Sequence, residues 1–253
     1  MIAKTEHEIK NLRTGGKLLA HVLRELSVMV LPGITTTSLD VAAEKIIREG
    51  GGVPAFLQYL PDGAAYPFPA TLCVSINEEV VHGIPSEGRV LKAGDMVSLD
   101  LGLSYNGYFV DSAVTVCVGT CDEVAEKLIK ATKEATMAGI KAARVGNRIG
   151  DIGSAIEAVA KKYHFAVVED LGGHALGKEV HEKPYIPNEG VAGMGQKLPE
   201  GLVIAIEPML AEGKGAITLM EDEWTYRMRD KKRCAHVEHT IIITNKGPEI
   251  LTA

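Results

Sequence analysis

The sequence predicts an α+β fold made of two pseudo-symmetric α/β halves, each with helices covering an antiparallel sheet. Two observations carry this. Helix-like and strand-like periodicities follow each other twice, helices first and strands after, along the 253 residues. Four short patterns then recur in the same order: Gly33, four residues and Ser38-Leu39 return as Gly146, four residues and Asp151-Ile152, and His82-Gly-Ile-Pro85 returns as His181-Glu-Lys-Pro184. Gly94-Asp-Met-Val-Ser-Leu-Asp100 is echoed by Gly201-Leu-Val-Ile-Ala-Ile-Glu207, and Phe109-Val-Asp111 by His236-Val-Glu238. The period is too long for a solenoid, and no Ser/Pro-rich linker interrupts the chain. The expectation is one domain over residues 1–253, with halves at roughly 1–120 and 121–253.

Each element has a local reason. Ile9, Leu12, Leu19, Val22, Leu23 and Leu26 recur at helical spacing, predicting a first helix over Glu6–Met29 that Gly15 and Gly16 weaken and open to close packing. Pro32-Gly33 ends it. Thr37 or Ser38 is expected to cap a second helix carrying Leu39, Ala42, Ile46 and Ile47. A helix is expected over residues 122–143 and another from near Asp151. Strand-like runs fall at 71–77, 95–103, 108–118, 202–206 and 236–244. Asn106-Gly107 is a strong two-residue hairpin signal, pairing Tyr105 with Tyr108, hence Asp100 with Ala113 and Gly102 with Asp111.

Composition narrows the function. The net charge is −6 and apolar residues make up 46%, which suits a globular protein and not a non-specific nucleic-acid binder. Apolar stretches such as 202–210 fall well short of the roughly 20 residues of a membrane span. The opening residues Met1 to Lys10 contain no apolar h-region, so the expected location is cytoplasmic. The cysteines, Cys73, Cys117, Cys121 and Cys234, form no metal-spaced pair and are expected to need no disulfides.

The hairpin register makes Asp100 and Asp111 diagonal neighbours on one sheet face, about 7–8 Å apart at Cα. Alone, such a pair would read as solvent-facing strand acids. The second half supplies Glu207 and Glu238 at the corresponding places. Four carboxylates at a symmetry axis repel and raise one another's pKa unless cations neutralise them, and these strands offer no Lys or Arg partners. Two divalent cations balance the charge. His174 has no histidine counterpart in the first half and supplies one nitrogen donor, giving a thiol-free N/O set suited to Mn, Fe(II), Co or Zn. His7, His21 and His164 read as ordinary surface or core residues, and His236 and His239 are placed on the strand face opposite Glu238, as non-ligands.

These residues closely resemble the type I methionine aminopeptidases of the bacterial kind, members of the pita-bread peptidase family. The resemblance covers essentially the whole chain, through Asn77-Glu-Glu-Val-Val-His-Gly-Ile-Pro85, Ser98-Leu-Asp100 with Asp111, Gly173-His174 to Pro184, Ile206-Glu-Pro-Met209 and Val237-Glu-His-Thr240. It implies a pita-bread fold around a central dinuclear metal site held by Asp100, Asp111, His174, Glu207 and Glu238, with Asp111 and Glu238 bridging. It implies further that His82 lies near the scissile amide and His181 near its carbonyl oxygen, with Glu207 shuttling a proton for a metal-bridging water or hydroxide. The implied substrates are nascent, deformylated chains whose initiator Met precedes a small residue. The implied methionine pocket is Phe56, Tyr59, Phe68, Cys73 and Trp224, with Val180 at its wall; for Phe56 and Phe68, ordinary core packing is the competing reading. An alkali ion near the Asn77 loop is a further implied site.

Departures from the family pattern fall around the pocket. Ala175 stands where Gly is usual, Val180 where a bulkier aromatic is, and Phe56 where Cys often is, and Leu60-Pro-Asp-Gly-Ala-Ala65 is a small insertion. Three rivals stay open: a Xaa-Pro peptidase of the same fold, a catalytically inactive peptide-binding module, and a metal-free relative acting on small guanidino compounds. The expected state is a monomer working near the ribosome, with no membrane or nucleic-acid partner.

Overall fold

The computed structural model describes all residues, 1–253. Helix α1 (Glu6–Met29) starts on a capping box: Thr5 Oγ1 accepts from the Glu8 amide and Glu8 Oε2 accepts from the Thr5 amide. It buries Leu12, Leu19, Val22, Leu23 and Leu26 as its periodicity demands. At Gly16 a Cβ would lie 2.1 Å from the Leu251 carbonyl oxygen, so the glycine lets the C-terminal segment cross the helix. Helix α2 (Thr36–Glu49) is capped by Thr35, not by Thr37 or Ser38. Ser38 is the residue whose amide receives the cap, at 3.2 Å from Thr35 Oγ1.

Strands β1 (Val53–Pro54), β2 (Cys73–Ile76), β3 (Glu79–Val81), β4 (Met96–Tyr105) and β5 (Tyr108–Cys117) follow. Asn106 and Gly107 both take positive φ, 50° and 77°, the signature of a type I′ turn. The β4–β5 hairpin therefore pairs Asp100 with Ala113 and Gly102 with Asp111, as the turn predicts. In the second half, α3 (Glu123–Ala142) is capped by Asp122, and α4 (Ile149–Tyr163) starts two residues before Asp151, whose carboxylate accepts from the Arg148 amide. Then come β6 (Ala166–Val167), β7 (Gly172–Ala175), β8 (Glu182–Pro187), β9 (Val203–Ile206) and β10 (Met209–Ala211). The chain finishes with β11 (Ile217–Leu219), β12 (Tyr226–Met228), β13 (Cys234–His236), β14 (His239–Thr244) and β15 (Gly247–Ile250).

Helices α1 and α2 cover the sheet of β1, β4, β2 and β5, and α3 and α4 cover that of β15, β14, β9, β7 and β8, each over its own apolar cluster. The repeated turns are alike in conformation: Gly94 and Gly201, which precede the two acid-bearing strands, have φ of 91° and 80°.

The expected strand over 236–244 is broken at Val237-Glu238. Strand β13 pairs with β10 and β14 pairs with β9, so the chain changes sheets there. Glu238 turns to the first half: its amide donates to the Ala113 carbonyl at 2.9 Å. Thr240 Oγ1 meets the Asp111 backbone and Thr115 Oγ1 the His236 backbone, each both donating and accepting within 2.9 Å. This seam joins the halves at the acids.

The cysteines depart from expectation: Cys117 and Cys121 form a disulfide, while Cys73 and Cys234 are free and buried. The physical reason is local. Gly119, at φ 70°, turns the chain after β5 and brings the two Cα atoms to 5.8 Å, within disulfide range.

Candidate metal centre

The acids of the two halves meet at the floor of a cavity of about 530 Å³. Asp100 comes from β4 and Asp111 from β5, Glu207 follows β9, and Glu238 sits at the sheet change before β14. All four are buried, as is His174 on β7. Donor atoms of Asp111, His174 and Glu238 lie within 4.8 Å of one another. Asp100 Oδ1, Asp111 Oδ1 and Glu238 Oε1 have no hydrogen-bond partner, and no Lys or Arg forms an ion pair with any of the four. Burial, then the neighbouring charge of Asp111, holds the Asp100 carboxyl well above its usual range. Glu207 and Glu238 are raised for the same two reasons, burial and the adjacent acids, and burial raises Asp111. Orphaned anionic oxygens crowded in a low dielectric are what divalent cations relieve, so the donor set fits metal.

His174 is set up to offer a lone pair. Its Nδ1 lies 3.0 Å from the Ala175 carbonyl, which accepts an N–H there and leaves Nε2 free, 3.5 Å from Glu207 Oε1. Burial, then His181, lowers the His174 pKa to about 3, so the ring is neutral. Ala175 lies in extended β7, where its Cβ carries no backbone penalty.

His236 was expected to point away from this centre, and it does not. It is buried with both ring nitrogens unpartnered, and Nε2 lies 3.4 Å from Glu207 Oε2. The strand reasoning erred because residues two apart share a face, and the sheet change at Glu238 turns that face inward. Burial, then His82, lowers its pKa to about 3. Glu207 thus has a neutral imidazole nitrogen near each of its oxygens, at 3.5 and 3.4 Å. His239 behaves as expected, bonding Thr252 Oγ1 through Nδ1 at 3.0 Å.

His82 and His181 both line the cavity. His82 has φ 59° and its carbonyl accepts from Thr225 Oγ1 at 3.3 Å. Its ring stands edge-on to Trp224 at 6.0 Å. Gly83 behind it makes the close approach possible: a Cβ there would lie 2.2 Å from the Val74 carbonyl oxygen. The His181 ring is 4.4 Å from that of His174, and its Nδ1 is 2.9 Å from Tyr59 Oη.

Phe56, Tyr59, Phe68, Cys73 and Trp224 all line the same cavity. Val180 is buried in their cluster but stands behind the lining, so it backs the wall. Of the insertion, Pro61 faces the cavity. The hydroxyl of Tyr66, just beyond it, donates to the Asp222 carbonyl at 2.5 Å, tying this loop to the turn that carries Trp224. Sequence reasoning missed Tyr185 and Leu171 on the lining, which carry no motif signal, and gave no role to Met209, which closes the Ile206-Glu-Pro-Met209 motif.

Comparison with known proteins agrees with this geometry. Residues 10–245 match the model of metallopeptidase family M24. A methionine aminopeptidase of Aquifex aeolicus is 44% identical over 98% of this chain and 97% of its own. The crystal structure of a methionine aminopeptidase from Thermotoga maritima superposes with a TM-score of 0.95 at 42% identity, covering 100% of this chain and 99% of the other. The prolidase of Pyrococcus furiosus shares the fold at 23% identity and TM-score 0.76, with this chain covering 65% of that longer one. This chain has the pita-bread fold and belongs to metallopeptidase family M24, among the methionine aminopeptidases.

Proposed function

We propose that this enzyme removes the initiator methionine from nascent chains whose second residue is small. The observation that carries the reading is the junction of two environments in one cavity: five N/O donors at its floor and a wall of Phe56, Phe68, Cys73 and Trp224 beside them. A flexible thioether prefers such apolar, aromatic walls. Asp100, Asp111, His174, Glu207 and Glu238 would hold two divalent ions, of Mn, Fe(II), Co or Zn, with Asp111 and Glu238 shared between them. When bound, such ions supply Lewis acidity, lowering the pKa of water towards 7 and favouring a substrate with a free α-amine.

The residues of the chain do the rest. Glu207, with the His236 ring beside one of its oxygens, takes a proton from the attacking water and passes it to the departing amine. His181 donates a hydrogen bond to the carbonyl oxygen as it gains charge, and His82 positions the scissile amide nitrogen. Both sit at the cavity, His82 against Trp224 and His181 against Tyr59. A formylated amine would be excluded, so deformylation comes first. We place the enzyme in the cytoplasm as a monomer near emerging chains; no helix is long and apolar enough to cross a membrane.

The test is methionine release from Met-Ala-Ser by chelator-treated protein, with and without added Mn(II) or Co(II), alongside Ala-Pro-Ser. Metal-dependent cleavage of the Met peptide alone is expected. Cleavage of the proline peptide alone would overturn the substrate, and cleavage of neither would favour a peptide-binding module.

A further inference from the structure

We propose that Tyr59 is a positioning residue that fixes which nitrogen of His181 carries the proton. The proposal rests on the role given to His181 above. A neutral imidazole has one N–H and one lone pair, and the partner of one nitrogen decides the identity of the other. At His181 that partner is the Tyr59 hydroxyl, 2.9 Å from Nδ1. Tyr59 Oη has no other hydrogen-bond partner in the protein, and we assign its proton to the Nδ1 lone pair, the one protein acceptor within reach. The imidazole N–H is then on Nε2, as a donor to a carbonyl oxygen requires.

The neighbouring His174 supplies the contrast. Its Nδ1 faces a carbonyl, which can only accept, so its proton is on Nδ1 and its lone pair on Nε2. Two imidazoles with ring centroids 4.4 Å apart thus receive opposite instructions at the same atom. A carbonyl makes one a metal-ligand tautomer, and a hydroxyl makes the other a hydrogen-bond donor. The Tyr59 proton is secure: burial, then the charges of Glu179 and Asp62, pushes its pKa up, away from phenolate. The backbone holds the phenol in place, since the Tyr59 amide bonds Phe56 and its carbonyl accepts from Phe68, both at 2.9 Å.

The experiment compares wild type with Tyr59→Phe, which keeps the ring and deletes the donor. In Zn(II)-loaded protein labelled with 15N-histidine, long-range 1H–15N spectra, assigned with a His181→Ala variant, report the tautomer. Wild type should show Nε2–H at His181 and Tyr59→Phe a mixture. On Met-Ala-Ser, Tyr59→Phe should lower kcat about tenfold with KM nearly unchanged, the size expected for one hydrogen bond. Placed on a His181→Ala background, the same change should cost nothing further. An Nδ1–H tautomer in wild type, or equal losses on both backgrounds, would overturn the proposal. If wild type releases no methionine, the functional reading fails, and the spectra still decide the role of Tyr59.

Discussion

Metal-free protein should become more stable when a carboxylate of the centre is neutralised. Burial raises Asp111 from an ordinary 3.8 to about 7. At pH 8, holding it ionised in the fold costs at most about 4 kcal/mol relative to the unfolded chain, at 1.36 kcal/mol per pKa unit. In Asp111→Asn the amide still has to be buried, which takes back roughly 1–3 kcal/mol. The net gain is about 2 kcal/mol, or about 4–8 °C in Tm for a chain of this size. The sign follows from linkage. A group whose folded pKa is raised binds more protons when folded, so its penalty is full above about pH 7 and fades as pH falls towards the unfolded value. The advantage of Asp111→Asn in chelator should therefore shrink between pH 8 and pH 5.

Added metal should reverse the order. Wild type gains about 2.7 kcal/mol at a hundredfold excess over Kd, and the variant, with a proposed metal donor lost, gains little. Thermal melts of both proteins in chelator and in Mn(II), at pH 5 and 8, carry the test. If Asp111→Asn melts below wild type in chelator at pH 8, the charge-crowding account of the centre is wrong.

Further outcomes follow from the same geometry. Glu207→Gln should abolish methionine release while leaving circular dichroism and Tm in chelator no lower than wild type, since it removes one of the crowded buried charges. His236→Ala should weaken metal binding about ten- to a hundredfold by calorimetry through loss of support to Glu207. His236→Gln, whose amide offers an N–H, should recover most of it. Gly83→Ala should destabilise by about 2–4 kcal/mol, because its Cβ would meet a backbone oxygen, and should lower kcat by displacing His82; urea melts and steady-state kinetics read both. Trp224→Ala should raise KM for Met-Ala-Ser far more than it alters metal affinity, since Trp224 lines the cavity with an indole that is not one of the donors.

Much of this was legible in the chain because local rules set long-range geometry. Asn106-Gly107 fixes a turn, the turn fixes a register, and the register puts Asp100 and Asp111 on one face. The repeat then places Glu207 and Glu238 without a contact being known. The failures share a cause as well. His236 is two residues from Glu238, so strand alternation alone puts both on one face. What nothing local announces is that the chain leaves one sheet for another at Glu238; that choice belongs to the Ala113 backbone across the seam. The Cys117–Cys121 bond depends on a turn at Gly119, and helix α2 begins on Thr35, because caps are chosen by which amide is left free. The Tyr59–His181 bond joins residues 122 apart, with no periodicity to point to it.

The seam has one more consequence. Asp100 and Asp111 belong to one half, and His174, Glu207 and Glu238 to the other, and the ladder through Ala113, Glu238 and Thr240 sets their spacing. A fragment ending before α3 would keep two acids and a bare strand edge; its complement would keep the imidazole and two acids with no opposing wall. Neither piece is half an enzyme. Catalytic competence is a property of the join, so loading the centre with metal reports directly on docking, as the strength of an arch is tested only once its two sides lean together.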